Sequence, residues 1–389
     1  MTLPNLKIKL AEDTISKEDI SKLIRWLNTN PILTKKERTL EFEKKFAKWL
    51  GVKYAVFVNS GSSANLAAMY SLIQTNKLRN KKIIVPAISW ATTVAPAIQL
   101  GLQPIMCDCN MNDLGLDLNH LETLIKKHKP SLLILVHVLG FSCSDIEYIT
   151  KLCKKNNIRL IEDTCESIGS TFNGKKLGTF GDFSTFSFFF GHHFSTIEGG
   201  MVCTNDKEIY NLIVSVRSHG WDRDLQPDVQ KRMRKKYNVN DFNALYTFYY
   251  PGFNIRSTDL QAKLGLIQLD KLNNIVKTRN LNYEYYHRNI VNSYWKVNPH
   301  CSSFVSNFCY PIITPNKDEV VAALRKGGVE CRPLICGSIG QQPFWYNLYG
   351  KTSLPNADVV HTRGLYIPNH CSLTRSEQDY IIDIVNEHV

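Results

Sequence analysis

No apolar run in this chain approaches the roughly 18 residues of a membrane-crossing helix, so nothing in it reads as a membrane span. An apolar signal core is also missing from the opening, Met1 to Lys7, and the expected location is the cytoplasm. Disulfides are not needed: the 389 residues can bury a large core without them, and the 11 cysteines sit mostly in apolar, strand-like surroundings. They read as free thiols of a reducing compartment. The C-terminal half has no Cys-x-Cys pair; the one such pair, Cys107 and Cys109, lies far upstream at a strand end. Four ligands for an iron–sulfur cluster cannot be assigned, and neither a cluster nor another metal is expected. Internal repeats and low-complexity tracts are absent too.

What remains is ordinary for a soluble globular chain, with 43% hydrophobic and 21% charged residues. The net charge of +12 suits anionic ligands such as nucleotide diphosphates, but it is scattered. Basic runs such as Lys126–Lys129 and Arg232–Tyr237 read as solvated faces, and no nucleic acid is expected as a partner.

Apolar strands and helices alternate along the first half. Strands are expected near 54–58, 82–86, 103–107, 131–137 and 158–163, with helices at 41–51, 118–127 and 145–156. Such alternation predicts an α/β fold with a mostly parallel sheet covered on both sides. The charged stretch 222–243 reads as a mobile loop. From about 257 a helix leads into a longer one ending near 290, then into a smaller α+β region.

Several turns carry polar residues that invite two readings. In Asn59-Ser60-Gly61-Ser62-Ser63-Ala64, backbone amides at a helix start either hold a phosphate or are simply capped. Trp90, just past a strand, reads as core packing or as a ring-stacking group. Asp163 closes the 158–163 strand, with Glu166 just behind it; an acid there is either solvated or paired with a ligand. The chain concentrates its signals in Phe186 to Met201. There an apolar run expected as a buried strand leads to adjacent His192 and His193, then to Glu198-Gly199-Gly200 and a strand at 201–204. Taken bare, two histidines at a turn are polar loop residues as readily as functional ones.

The pattern running from Ser187 through His192 to Glu198-Gly-Gly resembles the lysine segment of the DegT/DnrJ/StrS sugar-nucleotide aminotransferase family. In that family a lysine stands five residues after the serine and six before the glutamate, and here that position is His192. The resemblance, from about residue 20 to the C-terminus, implies an aspartate-aminotransferase-like fold, the pyridoxal-phosphate transferase fold type I. It implies a large cofactor-binding domain at 31–256, a small C-terminal domain at 257–389, and an N-terminal segment, 1–30, packing on the small domain. By the same resemblance Gly61, Ser62, Ser63 and Ser187 grip the cofactor phosphate, Trp90 stacks on the pyridine face, Asp163 pairs with the pyridinium nitrogen, and Glu166 approaches the phenolic oxygen. His219 and Asn254 match loops that reach a neighbouring subunit's site, Asn254 toward phosphate, which implies a homodimer with shared sites. Arg332 either meets the nucleotide sugar or forms a structural salt bridge.

Histidine in place of the lysine has a chemical meaning, because an imidazole moves a proton but cannot form a stable imine. Family members with that exchange are sugar 3-dehydratases. The resemblance therefore implies a dehydratase of dideoxysugar and lipopolysaccharide O-antigen biosynthesis, using pyridoxamine or pyridoxal phosphate. Its substrate would be a nucleotide-linked 4-keto-6-deoxyhexose, GDP-4-keto-6-deoxy-mannose first, with His192 as the base and glutamate as amino donor. The competing readings are an aminotransferase and a non-catalytic protein that binds cofactor or sugar nucleotide.

Overall fold

The computed structural model describes residues 7–143 and 145–389; the first six residues, on which the signal reading and part of the 1–30 segment rest, lie outside them. The chain begins with helices α1 (Lys17–Leu27) and α2 (Glu37–Leu50). It then alternates: β1 (Tyr54–Val58), α3 (Gly61–Gln74), β2 (Lys82–Pro86), α4 (Ala91–Gln99), β3 (Gln103–Cys107), α5 (Leu118–His128), β4 (Leu132–Val136), α6 (Ile146–Lys155) and β5 (Arg159–Asp163). Short β6 (Thr171–Phe172) and β7 (Lys175–Lys176) precede β8 (Phe183–Ser187), β9 (Gly200–Thr204), α7 (Lys207–Val216) and α8 (Pro227–Lys236). Next come α9 (Asp259–Leu269), α10 (Leu272–Asn289), β10 (Ser303–Phe304), β11 (Cys309–Ile313), α11 (Lys317–Lys326) and β12 (Arg332–Pro333). The chain closes with α12 (Pro343–Tyr349), α13 (Pro355–Arg363), β13 (Gly364–Pro368) and α14 (Arg375–His388).

Seven strands form the main sheet in the order β1-β9-β8-β5-β4-β2-β3. Every neighbouring pair from β8 to β3 is parallel, and β9 alone runs against the rest. Helices on both faces explain why strands such as Leu132–Val136 are apolar at every position: neither face meets water. A separate three-stranded antiparallel sheet, β11-β13-β12, belongs to the C-terminal part.

An aromatic cluster fixes the segment that carries the two histidines. Phe188 packs against Phe42, Phe46 and Phe57, and stacks on Phe194 with centroids 4.7 Å apart. The Phe188 N–H donates to the Gly199 carbonyl, and its own carbonyl accepts the Thr196 N–H. The turn from 189 to 193 is thus clamped at its base by buried rings, which add directional packing to the apolar area they bury.

Two expectations are corrected. The apolar run was expected as one buried strand, but β8 ends at Ser187, Phe188 is buried, and Phe189 and Phe190 are exposed. The clamp turns the chain at 188, so the next two rings leave the core. The charged stretch 222–243 contains α8, with Pro227 in its first turn, Asp228 beside it and Arg234, Lys235 and Lys236 in its last turn. Those charges sit where the helix dipole favours them, and the Arg234 side chain reaches back to Asp222 at 2.7 Å.

Candidate active site

A cavity of about 960 Å³ opens where β5 and β8 end and where α3 and α4 begin. Ligand sites of parallel sheets form at strand carboxyl ends, because the chain leaves each strand there into a loop or helix start. Eight of the residues singled out from sequence line this cavity: Gly61, Ser62, Trp90, Asp163, Glu166, Ser187, His192 and Arg332.

At the start of α3 the Ser60 hydroxyl caps the helix by accepting the Ser63 N–H at 3.1 Å. The Ser63 hydroxyl accepts from the Ser60 hydroxyl, and Ser63 does not line the cavity. Gly61 faces Ser187 so closely that a Cβ added to it would lie 2.7 Å from the Ser187 Cβ. Gly200, on β9, is equally constrained, because a Cβ there would come within 2.2 Å of the Ser60 carbonyl oxygen. Together these contacts leave a shallow cradle at a helix N-terminus, beside two hydroxyls, which suits an anion.

Asp163, at the end of β5, is buried and held from several sides. Its Oδ2 accepts from Asn65 Nδ2 at 2.9 Å and from Thr93 Oγ1 at 2.8 Å, and its Oδ1 from the Cys165 N–H at 3.2 Å. The Thr185 hydroxyl in turn donates to Asn65 Oδ1 at 2.7 Å. Donors on both oxygens orient the carboxylate. Trp90, the residue before α4, is 57% exposed while lining the cavity, so its ring is not core packing.

Glu166 is buried, and its Oε2 accepts the Leu139 N–H at 2.8 Å. Burial pushes its carboxyl up to about 8, helped by the neighbouring charge of Asp163 and opposed by the Leu139 hydrogen bond. His192 is shifted the other way: burial lowers it to about 4, with Asp163 opposing. Its Nδ1 is buried without a hydrogen-bond partner among the described residues. His193 packs behind the cavity: its Nε2 lies 2.9 Å from the Ser306 carbonyl oxygen, and it does not line the cavity.

His219 and Asn254 also lie outside this cavity. Arg256 connects them, with its Nε donating to Asn254 Oδ1 at 3.1 Å and its Nη2 at 3.5 Å from His219 Nε2. Arg332 lies at the cavity wall in an ion pair with Glu330. Sequence reading missed Asn65, Thr93 and Arg279. Arg279, fully buried on α10, donates to the His192 carbonyl at 2.9 Å and to those of Phe308 and Asn369, which ties the histidine turn to the C-terminal part. A buried asparagine one turn into a helix was the only local signal for any of them; the rest are long-range contacts.

A phosphorylated pyridine fits these residues. The cradle offers amides and hydroxyls to a phosphate, Asp163 offers an oriented carboxylate to a ring nitrogen, and Trp90 offers an uncovered aromatic face. Comparisons with known proteins agree. GDP-4-keto-6-deoxy-D-mannose 3-dehydratase of Yersinia pseudotuberculosis is 33% identical over 387 residues, 96% of each chain. The crystal structure of the Escherichia coli GDP-4-keto-6-deoxy-D-mannose-3-dehydratase with bound hydrated pyridoxal phosphate (PLP) superposes with a TM-score of 0.87 at 30% identity, over 98% of this chain and 99% of that one. A structure of GDP-4-keto-6-deoxymannose-3-dehydratase with a trapped PLP–glutamate geminal diamine gives 0.88 at 30% identity, over 97% of this chain and 100% of that one. The pattern of the DegT/DnrJ/EryC1/StrS aminotransferase family matches residues 13–386, nearly all of the described chain, and the protein belongs to that family.

Proposed function

We propose that the protein is a pyridoxamine/pyridoxal-phosphate-dependent 3-dehydratase of a nucleotide-linked 4-keto-6-deoxyhexose, GDP-4-keto-6-deoxy-mannose first, with glutamate as amino donor. The observation that carries this reading is His192, a histidine at the family's lysine position that lines the cavity beside Asp163 and Glu166. When bound, the cofactor supplies an amine for the C4 ketone and a ring that accepts electrons while the C3 hydroxyl departs.

The chain's own residues do the rest. Gly61, Ser62 and Ser187 bind the phosphate, with Ser63 behind them as the residue whose N–H meets the helix cap. Asp163, fixed by Asn65 and Thr93, holds a proton on the ring nitrogen. Trp90 covers the ring face. Glu166 keeps its own proton at neutral pH and donates it in a hydrogen bond to the phenolic oxygen. His192, neutral at pH 7, accepts a proton and then delivers one to the departing C3 oxygen, so one imidazole serves as base and acid. Because it forms no stable imine, the product leaves as a keto sugar and not as an amino sugar: water restores the C4 oxygen, the nitrogen departs as ammonia, and glutamate replaces it.

We also take the protein to be a cytoplasmic homodimer with shared sites, in which His219 and Asn254 serve the neighbouring subunit's cavity. Their position away from the cavity of their own chain supports this, as does the exposure of Phe242 (81%) and Tyr246 (75%) nearby in sequence. The division into residues 1–30, 31–256 and 257–389 belongs to the same proposal. His192→Asn should retain pyridoxal-phosphate absorbance while losing turnover by about 10²- to 10⁴-fold. Undiminished activity in that variant would refute the assignment.

A further inference from the structure

One wall of the cavity comes from residues 9–13, a strap tied at both ends. At one end Ile8 forms a parallel bridge with Val329, and the Leu10 N–H donates to Glu330 Oε2 at 3.1 Å. At the other, Thr14 Oγ1 accepts the Ser195 N–H at 3.2 Å, and the Thr14 carbonyl accepts from Lys271 Nζ at 3.0 Å. The strap therefore joins the β12 region to the segment just beyond His192.

Among the described residues lining the cavity, only Lys9 and Arg332 are lysine or arginine. Both rest on carboxylates. Lys9 Nζ is 3.6 Å from Glu12 Oε1, in a pair whose side chains are 61% and 39% exposed. Arg332 places Nε and Nη2 on one oxygen, Glu330 Oε1, at 3.1 and 2.5 Å. An exposed pair such as Lys9–Glu12 contributes little, so a competing anion can take the lysine. Arg332 spends two of its five donors on Glu330 and has the rest for a second acceptor. The cofactor phosphate is met elsewhere, by the α3 start and Ser187, so a second phosphate-bearing group in this cavity needs its own cations.

We propose that Lys9 and Arg332 form a diphosphate site for the nucleotide portion of the substrate, with Glu12 holding Lys9 in reserve until the nucleotide arrives. This rests on the nucleotide-sugar reading above, and it makes the strap a substrate-binding element. The test is calorimetric titration of the full-length, cofactor-loaded protein with GDP. Lys9→Ala should weaken GDP about tenfold, as the loss of one charge-assisted contact does, with pyridoxal-phosphate affinity unchanged. Lys9→Arg should restore binding, and Glu12→Gln, which frees the lysine, should tighten it. Equal GDP affinity in Lys9→Ala and the unaltered protein would overturn the proposal while leaving the dehydratase reading intact. No GDP binding by the unaltered protein would instead exclude a GDP-linked substrate, the reading on which this site rests.

Discussion

Glu166 and His192 line one cavity, and burial moves them in opposite directions because it disfavours charge on both. For Glu166 the folded chain keeps its proton up to about pH 8, whereas the unfolded chain loses it near the ordinary carboxyl value of 4.5. Between those values the native state binds more protons, so this group's contribution to stability falls as pH rises through the window. His192, lowered to about 4, has the opposite sign: its contribution rises with pH until the unfolded imidazole has discharged near 6.5. Glu166→Gln keeps an acceptor for the Leu139 N–H but cannot ionise. Urea unfolding at pH 5 and pH 8 should show a smaller loss of stability across that interval in the variant than in the unaltered chain; an equal loss would contradict the assignment. The site's acids, its tryptophan and its histidine were all legible in the sequence, since each stands beside a strand end in a recognisable order. Asn65, Thr93 and Arg279 were not, because their roles come from partners 98, 70 and 87 residues away.

At the scale of elements, helix ends depended on what capped them. Periodicity placed α2 from 41, whereas it starts at Glu37. Lys36, at its N-cap, supplies no side-chain cap; Asp259 of α9 does so from outside. Its Oδ1 accepts the Lys36 N–H at 2.7 Å and the Thr39 N–H at 3.0 Å, and its Oδ2 the Arg38 N–H at 2.9 Å. A cap lent across 220 residues leaves no local signature. Asp259→Ala strands these donors, of which that of Thr39 is on a buried residue, and should cost about 2 kcal/mol in denaturant unfolding, whereas a cost under about 0.5 kcal/mol would mean the α2 start does not depend on that carboxylate. For α8 the opposite held, since the proline start and the charge order were visible in the sequence but the polarity of the stretch hid them. Gly51, which ends α2 with φ 97°, was readable because only glycine adopts that conformation freely.

Across the whole molecule, the fold class followed from apolar strands alternating with helices, and the sheet order bears it out, with β9 as the one reversed strand. Subunit arrangement leaves no such pattern in a sequence. Sedimentation equilibrium should give twice the chain mass, and a monomer at micromolar concentration would oppose the shared-site arrangement. In the proposed reaction a histidine in place of the family's lysine turns the site toward dehydration. This is tested most directly by mass spectrometry of GDP-4-keto-6-deoxy-mannose incubated with the purified protein, pyridoxal phosphate and glutamate. The account predicts loss of the C3 oxygen with the C4 ketone retained; conversion of that ketone to an amine, or recovery of unchanged sugar, would contradict it.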